Sequence, residues 1–318
     1  MAEGNNWERE VLEKLVMASL KEQRKTRGWN VFFRFLGFGF VFLVFAAAMG
    51  WIGGKADDGM SDVIGHGSHT AVVELNGEIG PNTRASADIV NEGLRNAFKD
   101  KRTKGVILRV NSPGGSAVQA GQIYEEVRRL RAKYPNTPIY TVVDDMCASG
   151  GYYAAVATDK IFVDRASLIG SIGVLMNGFG FTGTMEKLGV ERRLLTAGKN
   201  KGFLDPFSPL SSDQQAYAKQ MLEQIHQQFI GSVKQGRGKR LQETPDTFSG
   251  LIWNGEQGVK MGLADGFGSV DYVAREVIKA EELVDFTPKE NWADRFAKGI
   301  GASVASQLPL SKTGISIQ

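Results

Sequence analysis

Residues 71–285 of this 318-residue chain predict an α/β domain built on a parallel sheet. Three observations carry that expectation. Short apolar runs recur at 71–75, 105–110, 139–143 and 160–163, and they read as strands buried on both faces. Longer stretches with apolar residues at helical spacing separate them, and strands alternating with helices imply a parallel sheet. Two of the runs end in glycine-rich turns, Asn111-Ser112-Pro113-Gly114-Gly115-Ser116 and Ala148-Ser149-Gly150-Gly151.

Composition narrows the field. At 42% hydrophobic and 23% charged residues, the chain is that of a globular protein with an ample core. The net charge of +3 is slight, and part of it sits in residues 21–34, so it gives no reason to expect a nucleic-acid partner. A single cysteine, Cys147, excludes an internal disulfide framework and a cysteine-rich metal site. It stands two residues before Ser149, and small buried packing residue is the better reading than thiol nucleophile. Of three histidines, His66 and His69 flank a Gly-Ser linker and His226 lies in a Gln-rich helical run. None has the sequence context of a catalytic base. No metal site or cofactor is expected.

The elements follow in order. Residues 1–30 form an N-terminal segment expected in the cytoplasm, with Trp7, Val11, Leu15 and Ala18 at helical spacing. Basic residues at 21–27 and Arg34 precede an uncharged run at 35–52. Eighteen residues at about 1.5 Å each give roughly 27 Å, near the thickness of a bilayer core. Trp29 and Trp51 occupy interfacial positions, and the positive charge precedes the span. A single transmembrane anchor is therefore expected at 31–52, with everything after it outside the inner membrane, in the periplasm or its equivalent. Ala46-Ala47-Ala48 resembles a signal-peptide cleavage site, but about 34 residues ahead of the apolar run are too many for one.

A linker is expected at 53–70, then a strand at 71–75 and a helix at 87–98 carrying Ile89, Val90, Leu94 and Phe98. A strand at 105–110, a helix at 117–134 and a strand at 139–143 come next. After Ser149 a helix to about 157, a strand at 160–163 and a long helix from 211 to about 234 are expected. A glycine-punctuated segment at 253–270 leads to a helix ending near 282, and residues 286–318 form a tail.

The chemistry centres on Ser149. A serine at a strand-to-helix turn, followed by glycines, presents its hydroxyl, and the next backbone N–H is free to bind an oxyanion. A serine nucleophile needs a base. Without a suitably placed histidine, the alternative is a lysine held neutral by burial, since removal from water lowers an ordinary pKa of about 10.4 by up to about 3–5 units. The segment Thr196-Ala197-Gly198-Lys199-Asn200-Lys201-Gly202-Phe203 offers Lys199 and Lys201, although a lysine beside an aromatic is more often an ordinary surface residue. The glycines of 111–116 let backbone approach a ligand closely, and an ordinary proline–glycine turn is the plainer alternative.

These motifs together resemble the signal peptide peptidase A family in its short form: N-S-P-G-G after a strand, A-S-G-G-Y-Y-A-A, then Ser167-Leu168-Ile169-Gly170-Ser171-Ile172-Gly173-Val174, then G-K-N-K with a downstream P-F-S-P. Trp253-Asn254-Gly255-Glu256-Gln257-Gly258 and Gly262-Leu263-Ala264-Asp265 extend the likeness to about residues 71–275. The resemblance implies a Clp-protease/crotonase-like fold behind an N-terminal membrane anchor, with a Ser–Lys dyad that works through an acyl-enzyme. It implies Ser149 as nucleophile and Lys201 as general base, with Lys199 the second choice. Ser171 would orient the lysine amine, and the N–H groups of Gly150 and Gly115 (or Gly114) would form the oxyanion hole. Gly202 departs from relatives that carry a polar residue after the base lysine. The short members of the family resemble rings in which one subunit's serine meets its neighbour's lysine, so a homo-oligomer with a shared dyad is expected. The substrates implied are hydrophobic peptides such as signal-peptide remnants. Competing expectations are a protease of the same fold working with a stomatin-like membrane partner, a crotonase-type acyl-CoA enzyme, and a non-enzymatic membrane scaffold.

Overall fold

The computed structural model describes residues 17, 29, 32–42 and 67–289. The chain separates into two units, Met1–Gly65 and His66–Gln318. In the first, residues 32–42 are helical, with Phe32, Phe35 and Phe38 exposed. Most of the expected anchor at 31–52, the amphipathic segment before it, His66 and the tail beyond 289 lie outside the described residues. Among the described residues no helix is long and apolar enough to cross a membrane.

The second unit is organised by an eight-stranded, mostly parallel sheet. Its elements are β1 (His69–Asn76), α1 (Ala87–Lys99), β2 (Thr103–Ser112), α2 (Ala117–Lys133), β3 (Ile139–Ala148), α3 (Gly150–Ala155), β4 (Lys160–Val163) and β5 (Leu168–Gly170). After these come α4 (Thr182–Lys187), α5 (Ser212–Arg237), β6 (Ile252–Asn254), α6 (Gly255–Lys260), β7 (Gly266–Phe267), α7 (Val270–Tyr272) and β8 (Leu283–Asp285). The strand order is β6-β5-β3-β2-β1-β8, with β4 pairing β3 and β7, and only β5–β6 antiparallel. A parallel-dominated sheet flanked by helices fits the Clp-protease-like fold.

Both sheet faces are apolar, as the continuous runs predict. Val73, Leu75, Val106, Leu108, Val110, Ile139 and Val143 face one core. Over them pack Val90, Leu94 and Ala97 of α1, with Ile123, Val127 and Leu130 of α2. Alternate residues Val72, Ile107, Val142 and Phe162 face a second core closed by Val273 and Ala274. Ser116 starts α2 by accepting a hydrogen bond from the Gln119 N–H, and Ser211 does the same for α5 from Gln214.

Three elements differ from expectation. β1 takes in His69 and Thr70, which the sequence assigns to the linker; both are buried, and the Thr70 hydroxyl donates to the Ala280 carbonyl. β3 runs on to Ala148 because its second half finds a new partner: Met146, Cys147 and Ala148 pair with Leu168, Ile169 and Gly170 of β5. The last helix stops well short of 282. α7 continues as a π-helical turn to Ile278, and Lys279 ends it at φ +65°, which frees Leu283–Asp285 to pair with β1.

Candidate active site

Extended β3 delivers the chain to Ser149 in an unusual backbone state, φ +51° and ψ −122°. That region costs a non-glycine residue about 1–3 kcal/mol and persists only where neighbours hold it. Two backbone hydrogen bonds do so here. The Ser149 N–H donates to the Gly170 carbonyl at 2.8 Å, and the Tyr153 N–H donates to the Ser149 carbonyl at 2.9 Å. The serine is half-buried at a sharp strand-to-helix turn, the geometry that thrusts a hydroxyl out of a sheet.

The turn after β2 meets it. Gly114 (φ +101°) packs so closely that a Cβ there would lie 2.7 Å from both the Gly150 nitrogen and the Ser149 Cβ. Gly115 (φ +141°) pairs with Ile79 as an isolated parallel bridge. Ile79 bonds the residues on either side of it, donating to the Gly114 carbonyl and accepting from the Ser116 N–H. The Gly115 N–H therefore points away from Ile79, and a Cβ on Gly150 would stand 3.4 Å from that nitrogen. The Gly114 N–H is engaged, donating to the Ser112 hydroxyl at 3.1 Å, while that hydroxyl donates to the Gly77 carbonyl at 2.6 Å. Among the described residues neither the Gly115 nor the Gly150 N–H has a protein acceptor. Two adjacent donors beside a serine hydroxyl are what an oxyanion requires.

Ser171 is brought alongside as well. Gly170 pairs with Ala148, so the residues that follow each, Ser171 and Ser149, stand side by side. Ser171 also has a positive φ, +50°, and its N–H donates to the Leu251 carbonyl at 2.8 Å.

Lys199 and Lys201 are placed differently. Both are exposed, in the segment that links β5 to α5. The Lys201 N–H closes a turn on the Gly198 carbonyl. Two residues on, Phe203 packs edge-on against Tyr217 of α5, with ring centroids 5.6 Å apart. The same segment exposes a run of large apolar side chains: Leu175 (81%), Phe179 (75%), Leu188 (74%) and Leu195 (96%). Cys147 is wholly buried, and burial pushes its thiol far above the ordinary range, away from nucleophilic chemistry.

Three contributors escaped the sequence. Ser112 braces the glycine turn. Trp253 packs over Gly170, where a Cβ would lie 2.9 Å from the indole ring. His226 of α5 approaches the Ile172 carbonyl at 3.0 Å. Ser112 and Trp253 sit within recognisable motifs, but nothing in the pattern shows what they touch. His226 lies 77 residues from Ser149 in sequence, and only folding brings α5 to this loop. A cavity of about 670 Å³, bounded by Arg109, Asp144, Asp164, Phe267 and Asp271, includes none of the expected catalytic residues.

Comparison with known proteins gives one family match: residues 131–284 fit the model of peptidase family S49. A Brucella melitensis protein named Na(+)/H(+) antiporter NhaA is 38% identical over 244 residues, which are 75% of this chain and 33% of that one. A protein of Enterococcus faecium named for signal peptide peptidase SppA is 32% identical over 194 residues, 61% of this chain and 56% of that one. Protease 4 of Haemophilus influenzae is 32% identical over 219 residues, 68% of this chain and 35% of that one. The chain thus spans between a third and just over half of the length of these relatives.

Proposed function

Because this chain belongs to peptidase family S49, we propose that it is a serine endopeptidase whose nucleophile is Ser149 and whose general base is Lys201, with Lys199 the alternative. The observation that carries the reading is the seating of Ser149: a strained strand-to-helix turn beside the Gly115 and Gly150 N–H groups. The lysine takes the hydroxyl proton as Ser149 Oγ attacks the scissile carbonyl. The two N–H groups hold the oxyanion, and the protonated lysine then gives its proton to the leaving amine. An acyl-enzyme remains on Ser149 until water, deprotonated by the same lysine, releases it. Engagement of the Gly114 N–H by Ser112 favours Gly115 over Gly114 as the second oxyanion donor. Ser171, beside Ser149, orients the lysine amine.

The dyad is shared between subunits of a homo-oligomer. Support comes from the exposure of Lys201 in the single chain, where an effective base needs shelter from water, and from the exposed apolar side chains of its segment. Tyr217, which Phe203 touches, lies nine residues along α5 from His226, roughly 13 Å at helical rise. The substrates are hydrophobic peptides such as signal-peptide remnants, met at the outer face of a membrane to which residues 31–52 tether the chain with its N-terminus in the cytoplasm. Tethering raises the effective concentration of nucleophile beside peptides leaving the bilayer. The stretch matched in the Brucella protein is a third of that protein, and residues 67–289 here form a sheet-centred domain, not a bundle of apolar helices.

A fluorophosphonate probe applied to the full chain tests the reading. Ser149 is the residue expected to be labelled, and Ser149→Ala removes both labelling and peptide cleavage without changing the oligomer. Full cleavage by that variant would end the assignment.

A further inference from the structure

Resting on the peptidase reading and deepening it, we propose that His226 is a positioning residue that clamps the Gly170–Gly173 loop seating Ser149 and carrying Ser171. The loop is bent hard. Gly170 has φ +102° and Ser171 φ +50°, and the Gly173 N–H then closes a three-residue turn on the Ser171 carbonyl at 2.9 Å. A serine in the left-handed region holds that shape only if its surroundings fix it. Three ties from three different segments do so. The Ser149 N–H binds the Gly170 carbonyl, the Leu251 carbonyl binds the Ser171 N–H, and His226 Nε2 lies 3.0 Å from the Ile172 carbonyl. The first two are main chain to main chain. His226 is the one side chain among the three, and so the one a substitution can remove while leaving the backbone partners in place.

The chemistry of the contact assigns the proton. A carbonyl oxygen only accepts, so Nε2 carries the hydrogen. Ile172 is fully buried, and without His226 its carbonyl loses a partner inside the protein. The helix presenting His226 is itself anchored to the nucleophile's other side. Phe229, one turn further along α5, stacks on Tyr153 with centroids 4.9 Å apart, and the Tyr153 N–H holds the Ser149 carbonyl. α5 therefore meets Ser149 from two directions, through α3 and through the 170–173 loop. A small shift of the loop moves the Gly170 carbonyl, and with it the backbone of Ser149, relative to the oxyanion donors. Misplacement by about 1 Å can lower a rate about 100-fold.

The test compares His226→Ala, His226→Gln and His226→Asn in the purified full chain. It measures the rate of Ser149 labelling by a fluorophosphonate, kcat and KM on a hydrophobic peptide, and Tm. The Gln amide nitrogen reaches the place of Nε2, while the shorter Asn amide matches Nδ1. The alanine variant is expected to lose roughly 10- to 100-fold in kcat and in labelling rate, with KM within about twofold. Gln is expected to restore most of that loss and Asn little of it, at comparable Tm. Wild-type rates in His226→Ala, or equal impairment of Gln and Asn, overturn the positioning role while wild-type labelling leaves the peptidase reading standing. Absence of labelling in the wild type itself removes the peptidase reading and this inference with it.

Discussion

Gly115 shows how little freedom single residues have at this site. A side chain there would run into the Ile79 carbonyl, and its φ of +141° is strained for any residue with a Cβ. Gly115→Ala is therefore expected to destabilise the domain by about 2–3 kcal/mol, read as a lower urea midpoint. Peptide cleavage should fall further than stability predicts, because the displaced N–H is the proposed oxyanion donor, and such a donor is worth about 100- to 1,000-fold in kcat. Loss of stability with full activity in the surviving folded fraction would remove Gly115 from the oxyanion hole. Ser112 braces the glycine turn, Ser149 holds a strained backbone at the strand-to-helix turn, and Ser171 sits beside it. The motifs make Ser149 and the glycines recognisable because turn chemistry is local. Family resemblance puts Gly115 ahead of Gly114, and the bond from the Gly114 N–H to the Ser112 hydroxyl, which the letters alone do not show, favours the same order.

At the scale of elements, α5 is pinned at its C-terminal end by charge. Arg237, with its side chain 1% exposed, donates to the Gly262 carbonyl and forms a 2.7 Å ion pair with Asp265. Arg240 pairs with the same carboxylate at 2.9 Å, and the Ile161 N–H of β4 donates to it at 2.7 Å. Burial alone would raise the Asp265 pKa, but these donors outweigh burial and hold it below the ordinary carboxylate range. The sign follows from linkage. The folded carboxyl binds its proton less readily than the unfolded one, so its stabilisation is complete above about pH 4. It is lost as pH falls through the folded value. Asp265→Asn is expected to cost roughly 3 kcal/mol at neutral pH, because it leaves Arg237 buried without its counter-charge, and to flatten the acid limb of the Tm–pH curve. An unchanged acid limb in that variant would show that other carboxyls set it. His69 acts at a gentler pH. Burial lowers its pKa below 6.5, against the pull of Asp100. The stability tied to neutral His69 is whole above about pH 6.5 and declines as pH falls below it.

For the whole molecule the decisive experiment is complementation. Mixed Ser149→Ala and Lys201→Ala chains should recover cleavage if serine and lysine come from different subunits, with a random dimeric contact giving up to about a quarter of wild-type sites. No recovery from an intact mixed oligomer would place the dyad within one chain and remove the shared arrangement. The apolar runs, their order and the glycine turns made a parallel α/β domain readable along the chain, because strand burial and turn geometry are imposed by neighbours a few residues away. Ser149, Gly150, Gly115 and Ser171 stand in short turn motifs that the chain displays locally, while the roles proposed for them rest on resemblance to the family. Other features depended on distant partners: the extension of β3 along β5 and the approach of His226 to the Ile172 carbonyl. Each is a contact between segments that share no local pattern, so only packing in three dimensions chose among the alternatives the chain allowed.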